Sequence, residues 1–133
     1  MENSERHILV IDDNVKLTML IATGLQKFDF HVTIENNSQF AMDLIRKLKP
    51  DLVLLDVMMP VVDGGMILSE LRGDPYLRNL PVILMTGLGA EAEGLCKTGG
   101  IETPIIAKPT DLGNLVRNIE RVLGQSAPKG LPR

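Results

Sequence analysis

Four short apolar runs break off at polar or turn residues along this chain: HILVI at 7–11, DLVLL at 51–55, PVILM at 81–85 and PIIA at 104–107. None alternates polar with apolar, and each has about the length of one strand. Continuous apolar runs of this kind suit strands buried on both faces, as in a parallel sheet covered by helices. A weaker strand is expected at 31–34. Helical spacing fills the gaps. Leu17, Leu20, Ile21, Leu25 and Phe28 recur at helix intervals. So do Phe40, Ala41, Leu44, Ile45 and Leu48, with Ser38 as the expected N-cap. Met66, Ile67 and Leu71 mark a third helix, entered through Asp63-Gly64-Gly65. The clearest stripe is the last one: Leu112, Leu115, Val116, Ile119, Val122 and Leu123, capped by Thr110 or Asp111 and ended by Gly124. Between 86 and 100 the glycines at 87, 89, 94, 99 and 100 dilute a short helix expected at 90–97.

Strand and helix thus alternate five times, which predicts an α/β fold with a doubly wound parallel sheet. Right-handed crossovers place helices on both faces. The 133 residues make one domain, and 44 % hydrophobic residues with only 3 % aromatics mean an aliphatic core. A single cysteine, Cys96, excludes an intrachain disulfide and a four-cysteine zinc site. The polar start MENSERH is no signal peptide, and no apolar run is long enough to span a membrane, so a cytoplasmic location is expected. A net charge of −3 argues against direct nucleic-acid binding by this domain. Residues 1–124 are read as the domain. Residues 125–133, with Pro128, Gly130 and Pro132, read as a flexible tail or a truncated linker.

The residues that follow the strands carry the chemistry. In open parallel sheets, ligands bind at the carboxyl ends of the strands. Here the first run ends in Asp12-Asp13, the third in Asp56, the fourth in Thr86 and the fifth in Lys108-Pro109. Each has a plain alternative. Asp13 could cap the helix that begins near Asn14, Thr86 could satisfy a loop amide, and Lys108 could extend to water. Asp56 is harder to dismiss, because a carboxylate inside LVLLDVMMP needs a partner. Three clustered acids repel one another and call for a cation, and oxygen ligands alone point to Mg²⁺. A lysine beside them offsets charge and can grip a phosphoryl oxygen.

The chain resembles the receiver domains of two-component response regulators over almost its whole length. ILVIDDN at 8–14, PDLVLLDVMMPVVDG at 50–64, PVILMTG at 81–87 and IIAKP at 105–109 carry the resemblance, all in register. It implies a flavodoxin-like (βα)5 fold, a five-stranded parallel sheet of order 2-1-3-4-5. It implies that Asp56 is the phosphoacceptor, taking a phosphoryl group from the phosphohistidine of a sensor histidine kinase or phosphotransfer protein. It also implies that Asp12, Asp13, Asp56 and the backbone carbonyl of Met58 hold Mg²⁺, and that Thr86 and Lys108 receive phosphoryl oxygens. The Lys108–Pro109 bond is expected to be cis. A homodimer through the last helix and strand face is a further implication. Such a domain is no enzyme beyond its own phosphorylation and dephosphorylation.

Two departures stand out. Many receivers carry Tyr or Phe three residues before the lysine, where this chain has Ile105. A stiff β-branched aliphatic has no ring to swing, so the usual coupling to Thr86 is in question. Pro104 has no N–H to donate, which predicts an edge position at the start of its strand. Two other classes compete. One is an interaction module of the same fold that is never phosphorylated, against which the full acid–Thr–Lys set argues. The other is an aspartate-nucleophile phosphatase, which would carry a second Asp where Met58 stands.

Overall fold

The computed structural model describes residues 5–108 and 111–124. Its elements are β1 (His7–Ile11), α1 (Val15–Gln26), β2 (His31–Glu35), α2 (Ala41–Leu48), β3 (Leu52–Asp56), α3 (Gly64–Gly73), β4 (Val82–Thr86), β5 (Gly94–Thr98), β6 (Ile101–Ala107) and α4 (Leu112–Gly124). One six-stranded sheet has the order β2-β1-β3-β4-β6-β5. The first five strands of that order are parallel, and they reproduce the expected 2-1-3-4-5 arrangement. The apolar runs form the buried centre: every residue of β3 and β4 is buried, Asp56 and Thr86 included. Two aliphatic clusters lie on the two faces. One joins Ile8, Val10, Leu52, Leu54 and Ile83 to α1 and α4; the other joins Leu9, Ile11, Val53, Leu55 and Leu84 to α2 and α3. Alternate residues of each strand feed opposite clusters, as the pleat requires. Burying each such Leu or Ile contributes roughly 1.5–3 kcal/mol.

The expected helix at 90–97 does not form. A single 3₁₀ turn, Ala90–Ala92, leads into β5, which pairs antiparallel with β6. The glycines decide this. Gly99 and Gly100 both take positive φ, 58° and 81°. They supply the two-residue turn whose twist matches a hairpin. Gly89 and Gly94 also adopt positive φ, which a helix cannot accommodate. β6 consequently starts three residues earlier than expected. Pro104 is not at the edge, because β5 covers it through the Leu95–Pro104 pair, while pairing with β4 begins only at Ile105.

Local capping differs from expectation in two places. Asn37, not Ser38, caps the 3₁₀ turn that opens α2, accepting from Gln39 N–H at 3.0 Å. Ser38 is buried and donates its hydroxyl to the Pro60 carbonyl, 3.0 Å. Asn14, not Asp13, caps α1 by accepting from Leu17 N–H at 3.0 Å. In α4, Asp111 accepts from Asn114 N–H at 2.7 Å, as expected of a cap. Leu20, Phe28, Phe40 and Met66, expected on buried stripes, are exposed, and Phe30 is buried instead. The Lys108–Pro109 peptide bond, Thr110 and the 125–133 tail lie outside the described residues. Among the described residues no helix is long and apolar enough to cross a membrane.

Candidate functional site

The ends of four strands, β1, β3, β4 and β6, carry the residues that the sequence singles out. β1 ends at Ile11, so Asp12 and Asp13 open the loop to α1. Asp12 is fully buried, whereas Asp13 is exposed. One carboxylate oxygen from each of Asp12, Asp13 and Asp56 lies within 4.8 Å of the others. Lys108, just past β6, donates from Nζ to Asp12 Oδ2 at 2.9 Å and lies 3.1 Å from Asp56 Oδ1. Its backbone N–H donates to the Thr86 carbonyl at 2.6 Å, which ties the lysine to the end of β4. Thr86 is buried, and its Oγ1 accepts from Leu88 N–H at 3.2 Å. The alternative reading of Thr86, satisfying a loop amide, therefore describes this state. It leaves the same hydroxyl at the strand end beside Asp56.

Asp13 is free of the helix-cap role, since Asn14 takes it. Among the described residues its side chain makes no hydrogen bond, and it faces solvent beside the two buried acids. Met58 N–H donates to Asp56 Oδ1 at 3.3 Å. The Met58 side chain is 64 % exposed and that of Leu88 68 %, so neither is committed to the core.

The electrostatics follow from one cation among three acids. Burial pushes the Asp56 carboxyl up to about 6, and the charge of Asp12 adds to the rise; the bonds from Lys108 and Met58 pull the other way without cancelling it. Burial alone would lower Lys108, but its bonds to Asp12 and Asp56 outweigh that and raise it. The two rises are compatible: the lysine answers two carboxylates, while each carboxylate has a share in one lysine. All donors offered here are oxygens and the excess charge is negative, which fits a hard divalent cation.

Three residues beyond those expected build the site. Asn36, just past β2, donates from Nδ2 to the Asp12 carbonyl at 2.8 Å and to Thr18 Oγ1 at 3.0 Å. It fastens the acid loop to the adjacent strand and helix. Asn14 N–H donates to Asp12 Oδ1 at 2.9 Å, fixing that carboxylate's rotamer. Gly64 lets α3 approach the acceptor strand: a Cβ there would stand 2.2 Å from the Asp56 carbonyl oxygen. The Asp63-Gly64 pair ahead of a helical stripe was the available signal for Gly64. Asn36 carries no local signal, because its role exists only once β2 lies beside β1.

Ile105, in the position where the resemblance led us to look for an aromatic, pairs with Leu84 of β4 and Gly94 of β5. It packs against the α3-side cluster. The segment joined to it is a strand hairpin, not a helix.

Comparison with known proteins agrees with this geometry. The chain is 32 % identical over 123 residues to the protein named "Probable transcriptional regulator ycf27" of Porphyra purpurea, covering 92 % of this chain and 49 % of that one. The chain thus spans about half the length of that regulator. It is 31 % identical to the polar-differentiation response regulator DivK of Brucella anthropi, covering 91 % of this chain and 98 % of DivK. The signal receiver domain of a signal transduction histidine kinase from Syntrophus aciditrophicus superposes with a TM-score of 0.78 at 25 % identity, covering 96 % of this chain and 95 % of that one. Residues 8–120 match the response regulator receiver domain family, and the chain belongs to it.

Proposed function

We propose that Asp56 accepts a phosphoryl group from the phosphohistidine of a sensor histidine kinase or phosphotransfer protein, in a Mg²⁺-dependent reaction. The change this causes then controls an output domain or partner. The observation that carries the reading is the position of Lys108, within 3.1 Å of both Asp12 and Asp56 in a pocket with three converging carboxylates. Asp56 attacks the phosphorus in line. A P–O bond to its carboxylate forms as the P–N bond to the donor imidazole breaks, and the nitrogen keeps the electron pair. Asp12, Asp13, Asp56 and the Met58 carbonyl would hold Mg²⁺, which when bound supplies positive charge to the phosphoryl oxygens. Lys108 pairs with one phosphoryl oxygen. The Thr86 hydroxyl leaves Leu88 N–H and donates to another.

Asn36, Asn14 and Gly64 hold these groups in place, so that reaction needs little reorganisation. In this reading the domain is residues 1–124, with 125–133 a tail or linker, and it works in the cytoplasm. It acts on no substrate beyond its own acyl phosphate, and it binds no nucleic acid or membrane directly. Any self-association uses the α4 and outer-strand face. The test is intact-mass analysis with acetyl phosphate and Mg²⁺. One phosphoryl group should be gained, and Asp56→Asn should gain none; labelling of that variant at the wild-type rate would refute the assignment. Asp13→Ala should fold normally yet lose most of the Mg²⁺-induced rise in melting temperature. Equal rises in the two proteins would remove Asp13 from the ligand set.

A further inference from the structure

Away from the strand ends, Arg72 in the last turn of α3 is only 3 % exposed. Its Nη1 donates to the Arg78 and Leu80 carbonyls at 2.9 and 2.7 Å, and its Nη2 donates to Thr103 Oγ1 at 3.0 Å. Nε is buried with no partner. Among the described residues no carboxylate is bonded to this guanidinium. A buried cation with an unpaired N–H is unusual enough to need a reason.

The β5–β6 hairpin supplies one. The register sets Cys96 directly opposite Thr103, the residue that Arg72 holds. Opposed side chains of an antiparallel pair share a face and stand about 5 Å apart at Cβ. Cys96 packs against the aliphatic cluster on that face, which includes Ile67, Leu68 and Leu71 of α3, the helix that carries Arg72. Its Sγ lies 3.4 Å from Thr98 Oγ1. The turn closes over the same arginine, since a Cβ on Gly99 would stand 3.0 Å from Arg72 Cβ. In a guanidinium, Nε–H and Nη2 form one edge. Nη2 meets Thr103, so the unpaired Nε–H lies on the Thr103 edge of the guanidinium, and Cys96 is the residue opposite Thr103 in the hairpin. Cys96 is half-buried and reachable by a small oxidant.

We propose that Cys96 is an oxidation site whose product oxygen is held by Arg72. The oxidant is a hydroperoxide. The sulfur attacks one peroxide oxygen, the Sγ–O bond forms as O–O breaks, and sulfur gives up two electrons. The thiol proton leaves with the alcohol or water, and a sulfenic acid remains. A thiol is a weak acceptor, whereas the new oxygen is a strong one, and it takes the unpaired Nε–H. Oxidation therefore tightens β5 onto α3.

The test uses the full chain treated with dilute hydrogen peroxide, trapped with dimedone and mapped by peptide mass. Cys96 should carry the adduct. The oxidised, untrapped wild type should melt a few degrees higher than the reduced protein. Cys96→Ser, treated in parallel, controls for oxidation of the seven methionines and should show no rise. Arg72→Lys keeps the charge and removes the Nε–H edge, so the rise should vanish. If that variant does not fold, Thr103→Val decides. It frees Nη2, and oxidation should then raise its melting temperature at least as much as in wild type. A wild-type melting temperature that falls on oxidation of Cys96, or no adduct at Cys96 in the folded chain, overturns the proposal.

Discussion

Lys108 Nζ makes its shorter contact with Asp12, at 2.9 Å, and its longer one with Asp56, at 3.1 Å. The lysine therefore sits nearer the acid that is not the proposed acceptor, with the acceptor also within ion-pair distance. Asp12 is fully buried, so Lys108 is its charge partner as well as a candidate phosphoryl ligand. Removing one member of a buried pair typically costs about 3–5 kcal/mol, because the other is left uncompensated. Lys108→Ala should thus lower the metal-free unfolding free energy, read from urea denaturation, by that order, with a lower midpoint, and saturating Mg²⁺ should recover much of the loss. An unchanged midpoint would mean that solvent already neutralises Asp12.

The raised pKa of Asp56 makes a pH prediction for the metal-free protein. The folded carboxyl titrates at about 6, against 3.8 for the ordinary group. Between those values the folded state binds more protons than the unfolded state. The Asp56 contribution is therefore fully present below pH ~4 and is lost as pH rises through about 6. The full swing is on the order of 3 kcal/mol. Urea denaturation at a series of pH values should show wild type losing stability over that window relative to Asp56→Asn. Parallel curves for the two proteins would contradict it.

Gly64 tests how closely α3 must approach β3. A Cβ there meets the Asp56 carbonyl oxygen at 2.2 Å and Val57 Cα at 3.0 Å, both backbone atoms that no rotamer change can move. Gly64→Ala should cost about 1–3 kcal/mol, as overpacking does. It should also slow phosphorylation, because the shift displaces the acceptor strand end. Gly65→Ala meets only the Asp63 side chain, at 3.3 Å, and should be mild by comparison. Stability and labelling rate for the two variants settle the point; equal effects would deny Gly64 its special place.

A last prediction concerns the lifetime of the phosphorylated form. Met58 and Leu88 each stand two residues past a proposed site residue, Asp56 and Thr86, and both side chains are exposed. Neither can orient or deprotonate a water, so phosphate loss should be slow. Met58→Asn combined with Leu88→Glu should speed it by roughly tenfold or more, about 1.4 kcal/mol off the barrier. Decay is followed with Mg²⁺ present after the phosphodonor is removed. Equal decay of wild type and double variant would show that these side chains do not control the water.

Much of this was legible in the sequence, for a physical reason. Strands buried on both faces must be continuously apolar, so β1, β3 and β4 announced themselves and marked Asp12, Asp56 and Thr86 as strand-end residues. Strand–helix alternation predicted a doubly wound parallel sheet, because crossover chirality leaves few arrangements, and its order 2-1-3-4-5 was implied by the family resemblance. The region from 86 to 107 was different. Its glycine content weakened a helix without naming a replacement, although Gly99-Gly100 between Lys97-Thr98 and Ile101 was a readable hairpin turn. Whether Gly94–Thr98 joins the sheet depends on β6 being there to pair with it, a contact that no local pattern encodes. The same holds for Asn36 on the acid loop, Lys108 between two carboxylates, and Arg72 on Thr103. Sequence patterns report which face of an element seeks burial. Only the packed chain sets which polar atoms meet there, and with those meetings the charge balance of the site.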